Sequence, residues 1–296
     1  MNSLINFRST FVAAIADSWN NENFRKEFVE SGKDLLGFLQ YKTIENEEKE
    51  HSVVDNCVFI NPWKSVEIVF AYPDLVWKPV EENGWTGDNS GVLITIPKIP
   101  EGDSELSNAE LLAKYFNIFP TFYGGLKTEK EILAELKVDF PHRFENIVTT
   151  SFDMLSTYIT GHSAAQVSDH LEDFTAVILQ VIAKYWNNES FRDEITPKNE
   201  SFNILDKTVP RDKSPILSKH FEYKNPWNMN IVFQYDEGFD LSDGKQAAET
   251  YPKNKILLSY PQVPDVITKS SSHKEIEPIA LADYNKEGAA LPFSCC

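Results

Sequence analysis

The sequence predicts an α+β fold built from two similar units, and three observations lead to this prediction. A helical motif occurs twice, a strand motif that ends in proline occurs twice, and both pairs are separated by nearly the same number of residues. The chain has 296 residues, which at about 100–200 residues per domain favours two domains. Aromatic residues make up 12% of the chain, enough apolar surface for a packed core.

The repeat begins with a helical motif. Residues 15–28 read IADSWNNENFRKEF and residues 182–195 read IAKYWNNESFRDEI, with nine of fourteen positions identical at an offset of 167. Three further matches follow in the same order: Asn-Pro-Trp at 61–63 and 225–227, Ile-Val-Phe at 68–70 and 231–233, and VLITIPKIP at 92–100 with ILLSYPQVP at 256–264. The constant order and offset indicate a tandem duplication with a unit of about 125 residues.

Each unit is expected to open with a helix. Phe11, Ile15 and Trp19 are four residues apart and form one apolar face. Asparagine is a weak helix former and a good N-cap, so the Asn pairs at 20–21 and 187–188 are expected to divide the segment into two helices.

A β region is expected to follow the helices. The segments SVEIVFAY and NMNIVFQY show the short apolar runs of half-buried strands. VLITI and ILLSY are further strands that stop at Pro97 and Pro261, since proline cannot donate a ladder hydrogen bond. We expect a small, mostly antiparallel β region in each unit, with the two sheets packed on each other by pseudo-two-fold symmetry.

The two units are joined by a segment of different character. Residues 126–173 contain two amphipathic patterns and few runs of Gly, Pro or Ser, which predicts a helical connector. The predicted organisation is a first unit at 1–125, the connector, a second unit at 174–285 and a tail at 286–296. An alternative stays open, in which the connector also extends the first helix of the second unit.

Charge and composition exclude several functions. The formal net charge is −17, which argues against binding to nucleic acid or to an anionic membrane surface. No apolar run reaches the roughly 18 residues that a membrane-spanning helix needs. The N-terminus lacks the pattern of a secretory signal, so we expect a cytoplasmic chain.

Catalytic and metal-binding patterns are absent from the sequence. It contains no phosphate-binding glycine loop, no H-E-x-x-H and no G-x-S-x-G. His162 and His170 are eight residues apart and are interpreted as solvated side chains rather than metal ligands. Cys57 lies among apolar residues and is interpreted as a buried thiol. We therefore predict no catalytic residue, no cofactor and no metal site.

The tail carries the unusual sequence Ser294-Cys295-Cys296. The hydroxyl or thiol of such residues can attack the preceding carbonyl, and loss of water then closes an oxazoline or thiazoline ring. The two adjacent thiols could instead bind a soft metal or be oxidised. The tail could also be an ordinary frayed end.

An opening I-A-x-x-W-x-N-x-x-F-R helix, a V/I-L-x-x-x-P-x-x-P segment and a short terminal peptide follow one another in this chain. This order resembles the precursors of thiazole/oxazole-modified microcins (TOMM), whose leader is similar to the nitrile hydratase α subunit. The resemblance covers residues 11–120 and 174–296.

The resemblance implies a ribosomally synthesised precursor with two leader-like units and a core peptide at 286–296. Ser294, Cys295 and Cys296 would be the modified residues, and Gly288-Ala289 the preferred cleavage point. The implied partners are a cyclodehydratase or an iron-dependent oxidase, followed by a leader peptidase and an exporter that releases the peptide from the cell. The two units could pair with each other.

The same resemblance argues against a nitrile hydratase. That enzyme needs a C-x-x-C-S-C type cysteine claw for its metal, and the Ser-Cys-Cys tail lacks the first cysteine. Three interpretations remain: a peptide precursor, which we favour, an unmodified binding or scaffold protein, and a nitrile hydratase-like enzyme.

Overall fold

The computed structural model of this chain describes thirteen segments: 3–29, 33–45, 59–61, 66–78, 84–86, 91–101, 106–118, 129–139, 169–195, 215–224, 230–242, 254–264 and 273–287. We call residues 3–139 the N-terminal half and residues 169–287 the C-terminal half.

The described segments contain both helices and strands, as predicted. The helices are α1 (Ser3–Asn20), α2 (Glu22–Val29), α3 (Leu35–Glu45), α4 (Asn108–Ile118), α5 (Glu129–Asp139), α6 (Asp169–Asn187), α7 (Glu189–Ile195), α8 (Pro215–Phe221) and α9 (His273–Glu287). The strands are β1 (Val66–Lys78), β2 (Gly84–Thr86), β3 (Gly91–Pro97), β4 (Asn230–Asp236) and β5 (Asn254–Pro261). Helix α5 lies in the predicted connector, and the boundary placed after residue 173 falls inside α6.

The asparagine pairs divide the opening helices at the expected places. The side-chain oxygen of Asn21 accepts a hydrogen bond from the backbone N–H of Phe24 at 3.1 Å. The side-chain oxygen of Asn188 accepts one from Phe191 at 2.9 Å. Each asparagine thus satisfies a donor of the first turn that has no partner within its own helix.

All five strands belong to one mixed sheet in the order β2-β1-β5-β3-β4. β1 and β5 are parallel, β3 and β4 are parallel, and β3 and β5 are antiparallel. The prediction of two mostly antiparallel sheets packed on each other is therefore wrong. The near-continuous burial of β3 and β5 explains the error, because such strands lie inside a sheet covered on both faces and their apolar runs do not reveal their partners.

The register of the sheet follows the sequence offsets. In the central antiparallel pair Val92 lies opposite Ile256, its counterpart at an offset of 164. On one side of this pair Ile68 lies opposite Ile256. On the other side Ile231, the counterpart of Ile68 at an offset of 163, lies opposite Val92. The pairing on one side is thus reproduced on the other.

Two hydrophobic cores flank the central pair, and each contains residues from both halves. The first core combines α1, α2, α3 and β1 of the N-terminal half with β5 and α9 of the C-terminal half. The second core combines α6, α7, α8 and β4 of the C-terminal half with β3 and α4 of the N-terminal half. Each half therefore completes the core of the other.

Two buried tryptophans connect the halves by equivalent hydrogen bonds. The indole N–H of Trp19 donates to the carbonyl of Pro261 at 2.9 Å, and that of Trp186, its counterpart, donates to the carbonyl of Pro97 at 3.4 Å. The two prolines end β5 and β3, as predicted. A buried donor left without a partner costs about 1–3 kcal/mol. These two hydrogen bonds therefore favour the arrangement in which each half completes the core of the other.

Because each half completes the core of the other, we expect the protein to stay folded after a cut between its halves. A protease site inserted between residues 150 and 160 should allow complete cleavage, and the two fragments should still elute together on gel filtration because each core needs both of them. They should separate only in denaturant. Fragments that separate in native buffer, while the uncut chain with the same insertion stays folded, would contradict the shared cores.

Candidate functional site

The residues predicted for modification and cleavage, Ser294, Cys295, Cys296, Gly288 and Ala289, lie outside the described part of the chain. The last described element before them is α9. The attachment of α9 to the folded body is therefore the described region nearest to the predicted chemistry.

Helix α9 is held by one apolar face. Ile276, Ala280 and Tyr284 follow one another at intervals of four residues and are all buried in the first core. This spacing places them along one side of a helix, since 3.6 residues make a turn. Ile279 points away from the core and is 56% exposed. The tail thus begins just beyond a helix that is packed against the N-terminal half.

Strand β2 supplies a specific contact to this helix. The indole N–H of Trp85 donates to the backbone carbonyl of Ala280 at 2.9 Å. The Trp85 ring also stacks on Trp19 at 6.1 Å between centroids and meets Tyr284 edge-on at 5.8 Å. Gly84, directly before Trp85, has φ of 140°, a backbone conformation that favours glycine. Neither Gly84 nor Trp85 stands out in the sequence, because nothing in their neighbourhood indicates a partner almost 200 residues away.

Helix α4 has the matching position in the second core. Leu111 and Tyr115, the counterparts of Ala280 and Tyr284 at an offset of 169, are buried there. The Tyr115 hydroxyl donates to the carbonyl of Thr95 at 3.1 Å, whereas the Tyr284 hydroxyl has no hydrogen-bond partner among the described residues. Burial raises the pKa of both phenols well above the ordinary value of 10.0, so both tyrosines are neutral and act as packing groups.

A polar cluster that was not predicted lies in the C-terminal half. Lys184 on α6 contacts Nδ1 of His220 on α8 at 2.9 Å, and Nε2 of His220 contacts Glu194 on α7 at 2.9 Å. Lys219 donates to the other oxygen of Glu194 at 2.6 Å. The Lys184 ammonium lies 5.0 Å from the centre of the Phe191 ring, a cation–π distance. The cluster ties three helices together.

The electrostatics of this cluster centre on Glu194. Hydrogen bonds from Lys219 and then His220 hold the pKa of its carboxyl below the ordinary value of 4.5. The counterpart Glu27 contacts Lys42 of α3 at 2.8 Å, so an ion pair joins the second and third helices in both halves. This common role favours structural stabilisation over catalysis.

Metal-ligand and membrane features were also sought in the described segments. They contain no group of three or more His, Cys, Asp or Glu that could hold a metal ion. None of their helices is long and apolar enough to cross a membrane. Cys57, His162 and the side chain of His170 lie outside the described part, so their predicted roles stay predictions.

Comparison with known proteins gives one match. Residues 169–292 match the model of a family described as ribosomal natural product, two-chain TOMM. The matched stretch begins with α6, includes α9 and ends before Ser294. No curated protein and no solved structure matches the chain, so the resemblance to the nitrile hydratase α subunit rests on sequence motifs alone.

The cluster around Glu194 predicts a pH-dependent contribution to stability. Because the pKa of Glu194 is lower in the folded chain than in the unfolded one, its contribution is present above about pH 4.5 and is lost as the pH falls through the folded pKa. Glu194→Gln should therefore lower the melting temperature at neutral pH, and the difference from the wild type should shrink as the pH falls below about 4.5 and through the folded pKa.

The matched control is Glu27→Gln, which removes the counterpart carboxylate and its contact with Lys42 but leaves His220 in place. Thermal unfolding followed by circular dichroism at several pH values measures both variants. A Glu194→Gln difference that stays constant from pH 7 to pH 3 would contradict this account.

Proposed function

We propose that this chain is a ribosomally synthesised peptide precursor, in which a folded leader presents a C-terminal core peptide to modifying enzymes. The observation that carries the proposal is the family match over residues 169–292, which leads into a tail with Ser294, Cys295 and Cys296. Residues 1–285 are the leader and residues 286–296 the core peptide, so the first two residues of the core peptide are the last two of α9. In this proposal the chain is a substrate and not an enzyme.

The chemistry takes place between neighbouring residues of the core peptide. A thiol or hydroxyl attacks the carbonyl carbon of the preceding residue, and one water leaves as the five-membered ring closes. Removal of two hydrogens by an oxidant then gives the aromatic azole. Cys295 would use the carbonyl of Ser294, and Cys296 that of Cys295. A cyclodehydratase supplies the ring closure. In the alternative, an iron-dependent oxidase modifies the tail by oxidation and not by loss of water.

Processing follows modification. Gly288-Ala289 is the proposed cleavage point, because small residues fit narrow protease subsites and lie directly after α9. The precursor is made in the cytoplasm, and an exporter releases the finished peptide. No step in this scheme needs a cofactor held by the chain itself.

We also infer that the two halves are copies of one duplicated unit, and that they pair within the chain. The equivalent registers around Val92 and Ile256 support this inference, as do the equivalent bonds of Trp19 and Trp186. The matched family is described as two-chain. A unit whose core is completed by a partner fits that description, and here the N-terminal half takes the partner's place.

The proposal predicts a mass change in the tail. The C-terminal peptide isolated from the native producing cell should be lighter than its sequence by one water per ring, and lighter by two further hydrogens for each ring oxidised to an azole. Intact-mass spectrometry with fragmentation locates each loss. The chain made alone in a foreign host should keep its full mass, because the modifying enzymes are missing there.

Replacement of both cysteines separates the roles of tail and body. Cys295→Ala with Cys296→Ala should give a folded protein with the same melting temperature and no rings at these positions, since the two cores as described are built from residues that precede the tail. An unmodified tail with two free thiols in producing cells would contradict the precursor proposal and favour an unmodified binding or scaffold protein.

A further inference from the structure

The two halves differ where the N-terminal half approaches α9. Strand β1 runs to Lys78, five residues beyond Pro73, whereas β4 ends at Asp236, the counterpart of Pro73 at an offset of 163. The last residues of β1 pair with β2, with Trp77 opposite Trp85. The residues at the corresponding offset, 248–250, lie outside the described part of the chain. The β1–β2 hairpin of the N-terminal half contacts α9.

The contacts of Trp85 fix α9 in two ways. Its hydrogen bond reaches the backbone of Ala280 rather than a side chain, so it sets the position of the helix along its axis. Its edge-on contact with Tyr284, one turn further on, sets the rotation of the helix about that axis. Stacking on Trp19 in turn fixes Trp85 against α1. Helix α9 therefore has a defined end from which the tail begins.

We propose that the β1–β2 hairpin is the docking surface for α9, and that Trp85 is a positioning residue that fixes where the core peptide leaves the folded body. The proposal rests on the proposed precursor function. It assigns a role to the N-terminal half, which has no Ser-Cys-Cys segment of its own. That half holds the helix that carries the core peptide of the other.

The length of the tail determines how much detachment of α9 would lower the effective concentration of Ser294 at an enzyme bound to the folded body. Ser294 lies seven residues beyond Glu287, so a fully extended tail places it within about 23 Å of the end of docked α9. If α9 detached, its 15 residues would add about 22 Å of helix to that reach. Doubling the radius enlarges the accessible volume about eightfold and lowers the effective concentration of the tail at a body-bound enzyme by a similar factor.

The test compares two substitutions of Trp85 with a matched control in the full-length chain. Trp85→Ala removes the hydrogen bond and both ring contacts, and Trp85→Phe keeps an aromatic ring but removes the donor. Trp186→Phe removes an indole donor of the second core, the counterpart of Trp19 and not of Trp85, and leaves the surface around α9 unchanged. Each variant is measured in two ways: by amide hydrogen exchange of residues 273–287, and by the fraction of tails with water loss in producing cells at equal precursor level.

Exchange in α9 should be about tenfold faster in Trp85→Ala and less accelerated in Trp85→Phe, while exchange in α6 stays unchanged. The modified fraction under limiting enzyme should fall in Trp85→Ala in proportion to the fraction of chains in which α9 is detached, with the eightfold of the volume estimate as the upper limit. Trp186→Phe should accelerate exchange in the second core without lowering the modified fraction, which distinguishes positioning from general stability.

Three results would overturn the proposal. Unchanged exchange of α9 in both Trp85 variants would show that the hairpin does not hold the helix. Faster exchange with an unchanged modified fraction would show that docking does not position the tail, and would leave the precursor function intact. An unmodified wild-type tail in producing cells would overturn the precursor function itself, and with it this role of Trp85.

Discussion

The rest of this structure depends on the antiparallel pairing of β3 with β5. Val92 lies opposite Ile256 at its centre, and the parallel partners β1 and β4 are added on either side. Without this pair, the two middle strands would each leave a row of backbone donors and acceptors unsatisfied inside the protein. Because β5 belongs to the first core and β3 to the second, the same pairing also brings each core its missing strand.

Local features of the fold could be predicted from the sequence, and long-range partners could not. The breaks at Asn21 and Asn188 and the strand ends at Pro97 and Pro261 follow from the chemistry of those residues alone. The pairing of strands from different halves does not follow from it, because an apolar run such as VLITI is equally suited to a partner strand from either half. The same holds for the candidate site. Ser294 could be predicted from the sequence, whereas the role of Trp85 is recognised only from its hydrogen bond to Ala280.

In the proposed function, the chain divides its tasks between a packed body and a short tail. The described body is stabilised as an ordinary globular protein is, by helix caps, buried indole hydrogen bonds and an ion pair between helices. Its cluster around Glu194 combines an acid, a base and a lysine, yet the equivalent pair of Glu27 and Lys42 indicates a structural use. In the proposed function, reactive groups are confined to the tail, where an external enzyme can reach them.

The sharing of strands and helices between the two cores also has a consequence for folding during translation. Trp19 is made well before its hydrogen-bond acceptor, Pro261, which follows 242 residues later. The first core therefore stays unfinished until β5 and α9 have been translated, and contacts of such long sequence separation fold slowly. A chain truncated before residue 254 cannot complete this core. In the proposed function, an enzyme that recognises the finished body would thus act only on chains in which β5 and α9 have completed the first core.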